Sequence, residues 1–398
     1  MNLILILGLL IILLIVIGTL ERYLHKRKLN KIPIRIHVNG TRGKSSVTRL
    51  IAAGLRANGI RTLAKTTGTL PRMILPNGKE QSIYRITRPN IIEQRNVVSY
   101  ANAMDVGAIV IECMALQPNL QWVSERYLIA ATHTVITNIR EDHLEIMGPT
   151  ERDVAYALAG STPIGGWLFL GGSKYEEIYS MSCKDRKTKL VVVDDDAASS
   201  VDDSIVQSFP YIEHKENIAI AMRVLASLGC DPIKSIEGMI NSTPDPGAMT
   251  VATVEYFDKT IHFVNGFAAN DPYSSRKVLD KSREMFSEYT KFILIVNLRR
   301  DRADHTQQLS KEISSWTNID AIIVIGEGSD FFIKNFIRPD SEELPIHILG
   351  EVSTNEIFES ILSCSGKINI VLGIGNIAGL GLELTKFFEH RKKGNILQ

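Results

Sequence analysis

Residues 34–51 read IRIHVNGTRGKSSVTRLI. The alternation from Ile34 to Val38 predicts a strand, and Gly40 and Gly43 predict a turn. Val47, Leu50, Ile51 and Leu55 fall at helical spacing, so a helix is expected over 46–58, ended by Gly59. Strand, glycine turn and helix together form a cradle for a phosphate, because the free amides and the dipole of the helix start point at an anion. The eight-residue form of such a loop needs a glycine five places before Gly43. Val38 stands there, so the loop must be of a shorter kind. Gly40 and Gly43 let the backbone come close, Lys44 reaches the β- and γ-phosphates as a point charge, and Ser45 offers a hydroxyl to Mg²⁺.

The chain has 398 residues, a length that favours two domains, and 44% of them are hydrophobic, as in ordinary globular proteins. A net charge of +1 gives no support to bulk nucleic-acid binding. Cys113, Cys183, Cys230 and Cys364 form no CxxC pair and no metal-ligand spacing, which predicts buried free thiols in a reducing compartment. Residues 3–20, LILILGLLIILLIVIGTL, carry no charge and are close to the shortest length that spans a bilayer. Basic residues follow this run (Arg22, His25, Lys26, Arg27, Lys28, Lys31) instead of preceding it. The pattern predicts an uncleaved anchor over 1–20 and a basic linker over 21–32, with the rest of the chain on the cytoplasmic side.

Buried strands are expected at 108–111, 134–137, 167–170 and 190–193, with helical stretches between them. This is the pattern of a mostly parallel α/β domain over 33–243. A helix is expected over 217–228. TPDPGAM (243–249) marks a boundary, and strands recur at 260–264, 292–296, 321–325 and 368–372 in a smaller α/β domain over 244–398. Asp194, Asp195 and Asp196 are read as a solvated turn.

Two further places offer ligands for a metal. Glu112 ends an apolar strand, and ligands gather at such carboxyl ends. Asp142-His143 in VITNIREDHLEIMG (135–148) also lies just past a strand.

The short loop resembles that of the Mur ligase and folylpolyglutamate synthetase superfamily. TNIREDHLEIMG resembles its TN-x-x-x-DH segment. HKENIAIAMRVLASLG (214–229) resembles its H-N-x-x-N helix motif. PDPGAM lies where the superfamily has its domain junction, and FVNGFAANDPYSS (263–275) resembles the segment that opens its last domain. The anchor, the short length and TTGTLPRMILPNG (66–78) resemble the ligase subunits of bacterial poly-γ-glutamate synthases.

The resemblance implies a Mur-ligase-like fold and nucleotide binding by Asn39, Gly40, Thr41, Arg42, Gly43, Lys44, Ser45, Ser46, Asn217, Asn270 and Asp271. It implies catalytic roles for Lys44, Arg42 and His143, and a metal held by Ser45, Glu112 and His143. Arg299, Arg300 and Arg302 follow another strand and are candidates for recognising substrate carboxylates. There are departures. Arg42 replaces the usual Asn. No lysine occurs in 151–161, where relatives carry a carbamylated lysine, and Leu158 lies near that place. Ala248 and Asn265 stand where an Arg and a ribose-binding Asp are common.

The implied chemistry is ATP- and Mg²⁺-dependent activation of a carboxylate as an acyl-phosphate, followed by attack of an amine. Glutamate and growing poly-γ-glutamate would be the substrates. Other membrane subunits would be the partners, a homo-oligomer is possible, and no nucleic acid is expected. Two alternatives stay open: another ligase of the superfamily, and a regulatory ATPase subunit of an export complex.

Overall fold

The computed structural model describes residues 3–68, 70–85, 89–245, 248–269, 272–301, 303–336 and 344–392. The chain divides into two compact units, Met1–Asp245 and Pro246–Gln398.

The first unit is built on strands β1 (Ile34–Asn39), β2 (Thr62–Thr66), β3 (Arg72–Ile74), β4 (Glu80–Ser82), β5 (Ala108–Glu112), β6 (His133–Ile136), β7 (Trp167–Gly171) and β8 (Lys189–Val193). They lie in the order β4-β3-β2-β5-β1-β6-β7-β8. All pairings are parallel except those of β3 with β2 and with β4. Strands such as AIVIE of β5 are buried along their whole length. That explains their continuous apolar runs, since covering both faces removes every side chain from water and each buried Val, Leu or Ile contributes about 1.5–3 kcal/mol.

β2 (TLAKT) is equally buried although it contains Lys65. The Lys65 ammonium lies 2.6 Å from Glu93, which also forms an ion pair with Arg85. Burial lowers the pKa of Lys65, and Glu93 opposes that shift. An ammonium is tolerated at this depth only with such a partner.

Helix α1 (Leu3–Asn30) is a single element. The basic stretch read as a linker is its last turns, and these pack on the unit. The His25 ring lies 2.9 Å from the Leu128 carbonyl, Lys28 donates to Ser99, and Arg95 forms an ion pair with Glu21. Arg35 donates to the carbonyls of Leu29 and Ile32 and so joins the end of α1 to β1. From Ile4 to Leu20 the helix is exposed except at the half-buried Ile6 and Gly8.

A π-helix, Ser124–Ile129, ends at Ala130 in the left-handed region (φ 47°). It places Glu125 against His37 of β1 at 2.7 Å, inside the protein. Burial alone would lower the pKa of His37, but the proximity of Cys113 and Glu125 outweighs that and raises it to about 10. The acidic run is no simple turn, because Asp194 accepts from Ala197 N and caps a short helix, Asp195–Ser199. All four cysteines are free thiols, with Cys113 and Cys183 buried and Cys230 and Cys364 half-buried.

The second unit holds β9 (Thr250–Tyr256), β10 (Lys259–Asn265), β11 (Lys291–Leu298), β12 (Ala321–Gly326), β13 (Ile346–Gly350) and β14 (Ile368–Gly375), in the order β13-β12-β11-β14-β10-β9. Only β9 pairs antiparallel. Alternate residues of β11, such as Ile293 and Leu294, enter separate hydrophobic clusters.

Candidate active site

β1 lies between β5 and β6. The carboxyl ends of these three adjacent strands build the site. The segment after β1 is the glycine loop, β5 ends in Glu112, and β6 runs into Thr137 and Asn138. Helix α2 (Lys44–Ala57) follows the loop, starting two residues before the expected helix.

The loop is clamped from the β6 side. Thr41 donates to Asn138 through its amide (3.1 Å) and its hydroxyl (2.6 Å), and the Arg42 amide donates to the Asn138 side-chain oxygen at 3.0 Å. In return, the Thr137 hydroxyl and the Asn138 amide group donate to the Arg42 carbonyl, at 2.6 and 3.0 Å. Asn39 holds the base of the loop, donating to Gln121 and Ser161 and accepting from Gly40 N. Gly43 has φ 77°, and a Cβ there would lie 2.6 Å from Asn217 Oδ1. Asn217 is held in turn by Glu213, which accepts from it at 2.8 Å and from His214 N at 2.9 Å. Burial pushes the Glu213 carboxyl up to about 7, against the opposing effect of these bonds.

Lys44 folds back over the loop, and its ammonium donates to Gly40 O at 2.7 Å and Thr41 O at 3.1 Å. Ser45 Oγ donates to Glu112 Oε2 at 2.8 Å, and the same oxygen accepts from Thr67 N at 2.7 Å. Glu112 is buried. Ser46 is half-buried in the first turn of α2.

Of the three residues expected at a metal, the structure therefore joins Ser45 and Glu112. His143 sits in the left-handed region (φ 48°), with Glu145 at 3.1 Å and Asp142 at 3.9 Å. Asp142 lies 3.7 Å from Arg42, which links this segment to the loop. Among the described residues, no group of three or more His, Cys, Asp or Glu is arranged to hold a metal. Leu158 is buried in an apolar cluster.

In the second unit, Arg299 pairs with Asp301 at 2.6 Å at the surface, and Arg300 is exposed. Asn265 donates to Ala248 O at 3.4 Å, so these two departures from the resemblance contact each other. Asn270, Asp271 and Arg302 lie outside the described residues.

Sequence reasoning did not single out Thr67 or Glu213, and it met Thr137 and Asn138 only as the TN of the TN-x-x-x-DH resemblance, with no role assigned. The pair Thr137-Asn138 carried a signal, since polar residues directly after a buried strand are placed to bond a neighbouring loop.

Comparisons with known proteins agree with this architecture. Residues 251–391 match the family described as poly-gamma-glutamate synthase CapB C-terminal domain, and residues 38–159 match the Mur ligase middle domain. The chain is 35% identical to PGA synthase CapB of Bacillus subtilis (strain 168) over 95% of this chain and 96% of that one. It is 36% identical to the capsule biosynthesis protein CapB of Bacillus anthracis over 95% of this chain and 81% of that one. A bifunctional folylpolyglutamate synthase/dihydrofolate synthase from Yersinia pestis, complexed with AMPPNP and Mn ion, shares the fold. Its TM-score is 0.65 at 12% identity, covering 92% of each chain. With this identity carried over nearly its whole length, the chain belongs to the poly-γ-glutamate synthase CapB family.

Proposed function

We propose that this chain is an ATP-dependent ligase that extends poly-γ-glutamate by joining glutamate units through their γ-carboxyl groups, anchored in the membrane by α1 and using Mg²⁺. The observation that carries the reading is the contact of Ser45 with Glu112 beside the glycine loop, in a chain of the CapB family. The Yersinia pestis protein that shares the fold, complexed with AMPPNP and Mn ion, supports a nucleotide and a divalent ion.

The residues fit such an ion. A hydroxyl and a carboxylate are hard oxygen donors of the kind Mg²⁺ takes beside a nucleotide, so Ser45 and Glu112 would hold it. When bound, the ion supplies positive charge to the phosphate oxygens. The loop amides and the start of α2 hold the phosphates, and Lys44 leaves Gly40 O and Thr41 O to meet the γ-phosphate. Arg42 adds a second charge. In the first step a substrate carboxylate oxygen attacks the γ-phosphorus, the bond to the β,γ-bridging oxygen breaks, and ADP leaves an acyl-phosphate. In the second step an amine nitrogen attacks the acyl carbon, phosphate departs, and the amine loses a proton. Positioning and charge stabilisation carry the phosphoryl step. His143, now beside Asp142 and Glu145, would be the third residue to hold the ion. Arg299 and Arg300 meet carboxylates of the polymer, and other membrane subunits complete the synthase.

The test is incorporation of labelled glutamate into acid-precipitable polymer by membranes carrying the chain and its neighbouring subunits, with ATP and Mg²⁺. Lys44→Ala should lower incorporation by about 10²-fold or more without changing thermal stability. Equal incorporation by wild type and variant would remove Lys44 from the chemistry. ATP hydrolysis that does not depend on glutamate would favour a regulatory ATPase.

A further inference from the structure

The amino ends of the first unit's parallel strands carry a cavity of about 980 Å³ that the ligase reading does not use. Arg35 at the start of β1, His133 at the start of β6 and Trp167 at the start of β7 line it. It therefore lies at the opposite end of the strands from the glycine loop. Trp122, Arg126, Ile164, Asp185 and Lys187 also line it, as does Glu125, whose carboxylate is engaged by His37 at 2.7 Å.

Its depth relative to α1 follows from a chain of contacts. The uncharged run of α1 ends at Leu20. Arg22 comes two residues later, about 3 Å along the axis. The Arg22 guanidinium lies over the Tyr127 ring at 4.9 Å. Tyr127 meets Trp122 edge to face, with centroids 5.3 Å apart, and Trp122 lines the cavity. When the apolar run spans a bilayer, Arg22, Tyr127 and Trp122 stand at headgroup level, the depth at which Trp and Tyr collect.

The rim has the matching chemistry. Residues 184–189 read KDRKTK, and Lys189 lies over the Trp167 ring at 4.6 Å. Arg186 is committed to the carbonyls of Gly160 and Thr162. Arg126 and Lys187 are exposed and make no ion pair among the described residues. Ile164, at the tip of a loop closed by Gly165 and Gly166, is 56% exposed, and Trp122 is 40% exposed. Arg35, Arg126, Arg186 and Lys187 outnumber the two carboxylates of the lining, Glu125 and Asp185, and this excess of cations with half-exposed apolar side chains, next to a spanning helix, suits a phosphodiester with acyl chains attached.

We propose that this cavity holds the headgroup of an anionic phospholipid from the bilayer that α1 enters, so that the amino-terminal edge of the sheet rests on the membrane and the glycine loop faces away from it. The proposal rests on reading α1 as an anchor. It does not depend on the ligase activity.

The test places the full chain in nanodiscs of phosphatidylcholine containing brominated phosphatidylglycerol or, for comparison, brominated phosphatidylcholine. Tryptophan fluorescence is the readout. Trp122 and Trp167 lie at the cavity, while Trp316 is buried in the second unit and gives the unquenched background. Quenching should be stronger with the brominated anionic lipid and should disappear in the Trp122→Phe/Trp167→Phe variant. Arg126→Gln and Lys187→Gln should each reduce the preference for phosphatidylglycerol about fivefold, with unchanged Trp316 emission and melting temperature. Absence of quenching by either lipid overturns the placement. Equal quenching by both lipids, unaffected by the charge variants, overturns headgroup recognition. Failure of the chain to enter nanodiscs overturns the anchor, and the site with it, whether or not polymer is made.

Discussion

Ser45 and Glu112, sixty-seven residues apart in sequence, share a 2.8 Å hydrogen bond between the first turn of α2 and the end of β5. The bond forms because β1 and β5 are adjacent and in parallel register, with Val38 opposite Glu112. The two ends of neighbouring strands thus deliver a hydroxyl and a carboxylate to one point. Glu112→Gln keeps the shape and removes the charge. It should raise the Mg²⁺ concentration needed for half-maximal glutamate incorporation by about 10–100-fold, and Ser45→Ala should act in the same direction. A metal titration checks this; an unchanged midpoint in both variants would place the ion elsewhere.

Gly43→Ala tests the other side of the loop. The new methyl would meet Asn217 Oδ1, and φ 77° costs a residue with a side chain roughly 1–2 kcal/mol. Nucleotide affinity should collapse while the melting temperature falls by only a few degrees. Calorimetric titration with a non-hydrolysable ATP analogue reads the first effect and thermal unfolding the second. Retained affinity would show that the contact yields easily.

Asn138→Ala should be more damaging to the fold than its half-buried position suggests. It strips partners from Thr41, from the Arg42 amide and from the Arg42 carbonyl, and each buried polar group left unpaired costs about 1–3 kcal/mol. Amide exchange of the loop should quicken markedly. Wild-type protection factors in the variant would mean that water replaces the side chain at no cost.

Glu213 gives the stability a pH signature. Its folded pKa, about 7, lies above the ordinary 4.5, so the folded state binds the proton more tightly. The contribution is most favourable below pH 4.5, is lost as pH rises toward 7, and stays lost above that. Its full size is roughly 3 kcal/mol. Glu213→Gln keeps an oxygen for Asn217 and His214 N and has no charge to bury. Its melting temperature should exceed that of wild type by a margin that widens from pH 5.5 to pH 8. A margin independent of pH would mean that the carboxyl titrates normally.

The order in which these features could be read from sequence has physical causes. β5 to β8 and β10 to β14, apart from β13, were visible because buried parallel strands are apolar runs. β2 was hidden by Lys65 and its threonines, whose burial depends on Glu93, a residue no local pattern connects to them. The π-helix was hidden because one added residue per turn leaves the apolar spacing almost helical. The basic residues after Leu20 looked like a linker because their partners, Ser99, Leu128 and Tyr127, come from distant segments. At the site, the glycine loop and Glu112 were legible from position alone. The clamp by Thr137 and Asn138 was not, since its bonds run to backbone atoms, and neither was Glu213, which acts on Gly43 only through Asn217.

The clamp and the folded-back lysine bear on the kinetics of the cycle. Ordering a flexible loop around a phosphate costs about 1–2 kcal/mol for each residue fixed. Here that entropy is surrendered once, when the chain folds, because Asn138 and Thr137 already hold the loop backbone in place. In the proposed reaction, successive nucleotides would meet the same rigid seat, and the loss recurring at each turnover would be confined to the one side chain that has to change partners.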